Sequence, residues 1–271
     1  MSTIRTFVGK KEVVVFRVGV ARWVPLLVAL VLGGLSQRAL AQVTLASDNA
    51  SNNPPYSGST FVGLDGGFGF QAWTSSGQGN GGSYLGSTGL GSTSFGVYSG
   101  GNAGNSFNVY RKFENPLGLG EKFSVQFQPT SIDSGGSVGV LLYVSGVQRG
   151  SFYFNGGESN WGWNAGAGGT NTNPGFSGAV QLGITRTGNN TFSLDLVQGG
   201  TQTISGTFTG GGNPVSSGID EVGFFSYQQG AGQNFGFNNL QIVPEPSTYV
   251  MAAFAAAMCG LHAVRRRRSW T

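Results

Sequence analysis

Trp161 and Trp163, in the stretch ESNWGWN (Glu158–Asn164), are the side chains whose type and spacing point most directly to binding chemistry. Two residues apart on an extended strand, they share a face. Exposed there, two indoles would offer a flat platform on which sugar rings stack, flanked by the amides of Asn160 and Asn164. Buried, they would fill a core, which is the commoner fate of tryptophan and the favoured reading of the two. A hydrolytic site on a glycan would instead need two carboxylates facing each other across the scissile bond. The nine acids between residues 42 and 243 are scattered. Asp220 and Glu221 are adjacent, so on a strand they point to opposite faces. Asp195 alternates with Leu194 and Leu196 and is expected in solvent. Asp65 and Asp133 sit in glycine-rich turns, where aspartate serves the backbone. GQGNGG (Gly77–Gly82) has the form of a dinucleotide loop. SYLGSTGLG follows it, however, and not a helix whose N-terminus could hold phosphate. No catalytic residue emerges, and the chain is expected not to be an enzyme.

Composition narrows the chemistry further. Residues 42–243 contain neither histidine nor cysteine; His262 and Cys259 both lie beyond them. This excludes an imidazole base, a thiol nucleophile and His- or Cys-ligated zinc in that stretch. No metal and no cofactor are expected. Charge is segregated. Residues 1–41 carry six Lys/Arg and one Glu, and residues 244–271 carry four Arg and one Glu. The middle has five basic residues against nine acids, a net charge of −4. A nucleic-acid partner is therefore not expected. Arg111 and Lys112, with Glu114, Glu121 and Lys122 close in sequence, read as a solvated, roughly neutral edge.

The two ends carry addresses. Arg17 and Arg22 precede an apolar run (Trp23–Leu35), and Ala39-Leu40-Ala41 has the small-x-small form cut by signal peptidase. Residues 1–41 are therefore expected to be a signal peptide, with cleavage between Ala41 and Gln42. At the other end, Val243-Pro244-Glu245-Pro246-Ser247 leads into 18 residues without formal charge (Ser247–Val264), followed by Arg265, Arg266, Arg267 and Arg268. As a helix the run would reach about 27 Å, enough for a thin bilayer. The arginines would hold its far end in the cytoplasm. This order of parts resembles the PEP-CTERM sorting signal of exported bacterial proteins. The resemblance covers about 243–268. It implies recognition of Pro244, Glu245 and Pro246 by an exosortase-type membrane transpeptidase, a temporary membrane anchor over 247–264, and a stop at Arg265–Arg268. It also implies an exopolysaccharide-producing bacterium, with the protein at the inner membrane before processing and in the envelope or extracellular matrix afterwards.

Residues 42–243 then form the working domain, with residues 244–271 as the sorting segment. Forty-four of these 202 residues are glycine, yet 17 of the 20 phenylalanines also lie here. Disordered chains are poor in aromatics, so glycine reads as punctuation between strands. KFSVQFQ (Lys122–Gln128) alternates Phe123, Val125 and Phe127. Val180, Leu182 and Ile184 alternate, TGNN turns, Phe192, Leu194 and Leu196 alternate, and QGG turns into a run holding Ile204 and Phe208. Period-two apolar residues between Gly/Asn turns make an antiparallel meander. VGVLLYVSG (Val138–Gly146) is apolar on both faces and reads as a central strand. EVGFFSYQQ (Glu221–Gln229) and FGFNNLQIV (Phe235–Val243) add two more. Phe61–Trp73 is expected to be the most structured part of the first third, with long loops between Ser75 and Asn108. About ten strands predict an all-β, antiparallel two-sheet sandwich of jelly-roll type, flanked by a signal helix and a transmembrane helix. The strand order over roughly Arg111–Val243 resembles laminin-G/concanavalin-like sandwiches. The expected role is structural or adhesive. A carbohydrate-binding module for exopolysaccharide is the alternative, and a glycan hydrolase the third choice.

Overall fold

The computed structural model describes residues 43–245, except 102, 165–168, 176–177, 210–217 and 231–232; for 169–174 and 201–209 it describes the backbone path only. Residues 1–41 with the Ala41–Gln42 cleavage site, Pro246, the apolar run 247–264 and Arg265–Arg268 lie outside the described residues. Among the described residues every regular element is a strand, and no helix is long and apolar enough to cross a membrane.

The strands, in chain order, are β1 (Ala46–Asp48), β2 (Thr74–Gln78), β3 (Gly82–Gly86), β4 (Ser94–Tyr98), β5 (Ser106–Lys112), β6 (Glu121–Pro129), β7 (Ser137–Val144), β8 (Val147–Asn155), β9 (Asn160–Asn164), β10 (Gly169–Gly175), β11 (Val180–Gly188), β12 (Thr191–Gln198), β13 (Thr201–Thr209), β14 (Glu221–Tyr227) and β15 (Phe235–Pro244). Sheet 1 runs β13-β12-β11-β6-β15-β4-β3, with β1 also paired to β15, and sheet 2 runs β10-β9-β8-β7-β14-β5-β2. Neighbours pair antiparallel throughout. The chain changes sheet at β1–β2, β2–β3, β4–β5, β5–β6, β6–β7, β10–β11, β13–β14 and β14–β15, a weave consistent with a jelly roll.

Alternation makes the sandwich. Phe123, Val125 and Phe127 on β6 and Val180, Leu182 and Ile184 on β11 are buried on one side of sheet 1. Val138, Val140 and Leu142 on β7 and Val222 and Phe224 on β14 are buried on the facing side of sheet 2. The sheets meet ring to ring: Phe224 stacks on Phe237 at 3.8 Å with the planes 3° apart. Each buried Phe or Leu contributes about 1.5–3 kcal/mol. The core runs from Ala46 to Ile242 without a disulfide, so residues 43–245 carry their own core.

The meander 180–209 and the central position of β7 follow the sequence expectation. The first third does not. Residues 61–73 form no strand and touch the sheets through isolated bridges, Ser47 to Phe68 and Phe70 to Phe113. The stretch expected as loops, 75–108, holds β3, β4 and most of β2, and enters β5. These strands alternate glycine and serine with single large residues, so their apolar period is short and quiet. Phe95 and Val97 are its inward half.

Candidate functional site

The indoles of Trp161 and Trp163 share a face, as their spacing requires, but that face is the core. Their exposures are 0% and 6%. Trp161 stacks on Phe152 at 4.9 Å, 9° from parallel, and meets the Phe127 ring edge-on at 5.0 Å. A sugar ring cannot reach either face: the buried reading favoured from the sequence holds, and the sugar-platform alternative at Trp161 and Trp163 does not. The outward positions of β9 are Asn160, Gly162 and Asn164.

Arg111 also corrects its expectation. It follows Val109 on the inward phase of β5 and is fully buried, while Lys112 is outside. Its guanidinium lies 2.9 Å from Asp48 and 2.7 Å from Asp65, and over the rings of Trp73 (5.2 Å) and Phe70 (5.6 Å). It also donates to the Gln71 carbonyl. Asp48 accepts from the Tyr56 hydroxyl at 2.9 Å and from Trp73 Nε1 at 3.1 Å. Burial raises the proton affinity of Asp48, against the pull of Arg111, Tyr56 and Trp73. The Tyr56 hydroxyl is pushed up for the same reason, with Asp48 adding to it. Above this network lies an open cleft of about 460 Å³, lined by Asn52, Asn53, Pro54, Gly66, Gly67 and Phe68, with Ser47. Asp48, Tyr56 and Arg111 are not in its lining. The network fastens residues 48–73 to the sheets; Asp48 and Arg111 are shut off from solvent, and Asp65 is its exposed end.

Most other acids are also committed to the scaffold. Lys122 binds Asp195 at 2.9 Å. The Ser145 amide donates to Asp220, and the Gly230 amide and Gln233 to Asp133. No group of three His, Cys, Asp or Glu poised for a metal occurs among the described residues. Glu245 of the tail motif is docked: its amide donates to the Gly120 carbonyl at 2.7 Å, and its carboxylate accepts from Thr185 at 2.9 Å. Pro244 still belongs to β15, opposite Glu121.

The chemistry that remains accessible is on the outer face of sheet 2. On β5, β7, β8 and β14 the residues alternating with the core include Tyr110, Leu141, Tyr143, Tyr153, Phe225 and Tyr227, all half-buried or exposed. Three of the rings stand directly opposite glycine on the next strand. Phe225 faces Gly139, Tyr153 faces both Gly139 and Gly162, and Tyr110 faces Gly223. A Cβ on Gly162 would lie 2.7 Å from the Tyr153 ring, and one on Gly139 would lie 2.7 Å from the Phe225 ring. The rings thus occupy the space a side chain would fill and settle onto the sheet. Phe225 and Tyr153 lie two strands apart, about 10 Å. One row runs Ser76, Asn108, Phe225, Gly139, Tyr153, Gly162. The next holds Thr74, Tyr110, Gly223, Leu141, Ser151 and Asn164.

Hydroxyls and amides edge these rings. The Tyr110 hydroxyl is 3.1 Å from Ser76 Oγ, and its ring meets Tyr143 edge-on at 5.9 Å. Burial, with Tyr110 and Glu221 nearby, raises the Tyr143 phenol, so it stays neutral at ordinary pH. Glu221 is raised by burial and lowered by Lys112, 4.0 Å away. Those two charges offset each other, and Arg149 on β8, half-buried and in phase with Ser151 and Tyr153, is a further charge on this side of the sheet.

No protein-family model matches the sequence, and no curated protein matches it. Solved structures share its outline at low identity. One is a sialidase: TM-score 0.47, 11% identity, covering 63% of this chain and 16% of that one. Another comes from work on endo-acting O-glycanases expressed by human gut microbiota to initiate mucin breakdown: 0.49 and 11%, covering 75% of this chain and 100% of that one. A third is a carbohydrate esterase of Shiga toxin-encoding bacteriophage phi24B: 0.49 and 16%, covering 76% and 100%. At these scores the likeness is one of outline, and none of them says what this chain does.

Proposed function

We propose that residues 43–245 form a non-catalytic carbohydrate-binding domain whose recognition face is the outer side of sheet 2. The carrying observation is the set of rings seated opposite glycine, Phe225, Tyr153 and Tyr110. A pyranose ring has an apolar face of C–H groups and a rim of hydroxyls. The first stacks on a flat aromatic ring and loses water; the second bonds to Asn108, Ser76 and Asn164 at the edges of the rows. The rings themselves are uncharged, and the occupant proposed is an uncharged polysaccharide. An adhesive role in a matrix is exercised through this contact, on residues other than Trp161 and Trp163.

The test is a pull-down of residues 43–245 with neutral polysaccharides (mixed-linkage β-glucan, galactomannan, dextran) and uronate-bearing ones (alginate, pectate). A neutral polymer should be retained, with little dependence on salt. Phe225→Ala and Tyr153→Ala should each weaken retention about tenfold at unchanged fold. Equal retention by wild type and both variants removes this face from consideration.

A second reading concerns the route and rests on the sequence at 243–268. It makes the protein an exported one, with Pro244-Glu245-Pro246 as a PEP-CTERM processing signal and the 247–264 run as a transient anchor. Replacing those three residues by alanine should leave the full chain membrane-bound in the producing bacterium. Normal release of that variant refutes the assignment.

A further inference from the structure

We propose that Tyr84 and Tyr98, on the outer face of sheet 1, form a second glycan subsite, so that the domain bridges two polysaccharide strands through its opposite faces. The inference rests on the carbohydrate reading given for sheet 2. Its own ground is a separate pair of strands. In β3 and β4 the segments Gly82-x-Tyr84 and Gly96-x-Tyr98 run antiparallel, and each tyrosine falls opposite the other segment's glycine: Tyr84 to Gly96, Gly82 to Tyr98. A Cβ on Gly96 would stand 2.2 Å from Tyr84 Cζ, and one on Gly82 would stand 2.5 Å from the Tyr98 hydroxyl. Both rings therefore lie along the sheet, 6.3 Å apart and tilted by 45°. This is the arrangement of Phe225, Tyr153 and Tyr110, built a second time on the other sheet.

The neighbourhood favours the same ligand class. The row continues from Tyr84 over Gly96 and Gly236 to Gln128 on β6, about 14 Å across three strand spacings. Gly236 lies under the Thr88 side chain. Gln128, half-buried beside Gly89, ends the row with an amide. No residue of this row is charged. The charge complement is thus a neutral polymer and not an anionic one. Burial pushes the Tyr84 phenol up to about 12, so it too stays uncharged.

Two faces on one rigid sandwich make a cross-linker, and linkage raises apparent affinity for a dense glycan surface about 100-fold or more without new contacts. The experiment uses residues 43–245 and the neutral polysaccharide retained in the pull-down. Light scattering is followed as protein is titrated into dissolved polymer, and binding is measured separately on sparse and dense immobilised polymer. Wild type should show a scattering maximum that disappears in protein excess, as each strand becomes saturated. The Tyr84→Ala/Tyr98→Ala variant should lose the maximum and at least about tenfold of dense-surface affinity, with sparse-surface affinity unchanged. Tyr84→Phe should keep both, which separates loss of the ring from loss of the fold. Binding of wild type without any maximum, or an unchanged maximum in the double alanine variant, overturns the bridging inference alone. No binding of wild type to any neutral polymer overturns the carbohydrate reading and this inference with it.

Discussion

Replacing Arg111 by methionine tests how the loop segment 48–73 is held. The substitution keeps most of the side chain's volume and removes its charge. It strips Asp48 of an ion pair at 2.9 Å and Asp65 of one at 2.7 Å, and it removes the cation from the Trp73 and Phe70 rings. Asp48, fully buried, keeps only the Tyr56 and Trp73 donors, along with its local backbone contact. Breaking one side of a buried pair costs about 3–5 kcal/mol. At about 2–4 °C per kcal/mol for a domain of this size, Tm should fall by about 6–20 °C. The pair Asp48→Asn with Arg111→Met leaves no buried charge in this network and should recover most of the loss. The pH sign follows from Asp48. Its folded pKa is raised above 3.8, so the native state holds a proton that the unfolded chain has already released. That contribution is complete below the unfolded value and is lost as pH rises through the folded one. Without Arg111 the folded value rises further, so the loss continues to higher pH. The Arg111→Met deficit should therefore be small in acid and grow toward neutrality. Urea unfolding of residues 43–245, followed by tryptophan fluorescence across a pH series, measures it. A neutral-pH deficit below about 1 kcal/mol, or one that does not change with pH, refutes the account.

Two further outcomes follow from the packing. Trp161→Ala opens a cavity among Phe127, Phe152 and Phe154 and should cost about 3–5 kcal/mol; polysaccharide retention per folded molecule should be unchanged, and a selective loss of retention would return Trp161 to the binding face. Lys122→Met with Thr185→Val removes the side chains that hold the Glu245 carboxylate; the Glu245 amide, which donates to the Gly120 carbonyl, should then exchange its hydrogen several-fold faster, and equal rates would show that the backbone pairing of β15 alone protects it.

What could be read in the sequence depended on how loudly each strand alternates. β6, β11 and β12 place large apolar residues at every second position, and their register was plain. β3 and β4 place a single ring or a glycine there, and looked like loops. In the sequence Arg111 reads as an edge residue, because Glu114 and Glu121 lie close by. Its phase with Val109 puts it inside, and its partners Asp48 and Asp65 are 63 and 46 residues away. For Trp161 and Trp163 the spacing fixed that they share a face; which face is decided by Phe127 and Phe235 on the opposite sheet. The aromatic face of sheet 2 needs the pairing itself, because Tyr153 meets Gly139 and Gly162 across strand registers that no local pattern reveals.

The glycine content takes on a second meaning in this light. At the hairpin turn Gly199-Gly200 the backbone needs positive φ, 59° and 80°, and glycine there is punctuation. Gly82, Gly96, Gly139, Gly162 and Gly223 are different, since they lie inside strands, where glycine weakens a sheet by leaving nothing to pack. In each case a ring from the neighbouring strand occupies the empty position, which returns the lost packing. A ring that only needed a hydrophobic seat could equally have been turned inward by a one-residue shift of phase. Here rings sit outward over glycine on both sheets while the core is already filled by phenylalanine and tryptophan. Core demand therefore does not explain the outward rings; the packing they restore over glycine does so locally, and the proposed carbohydrate contact would give that packing a use.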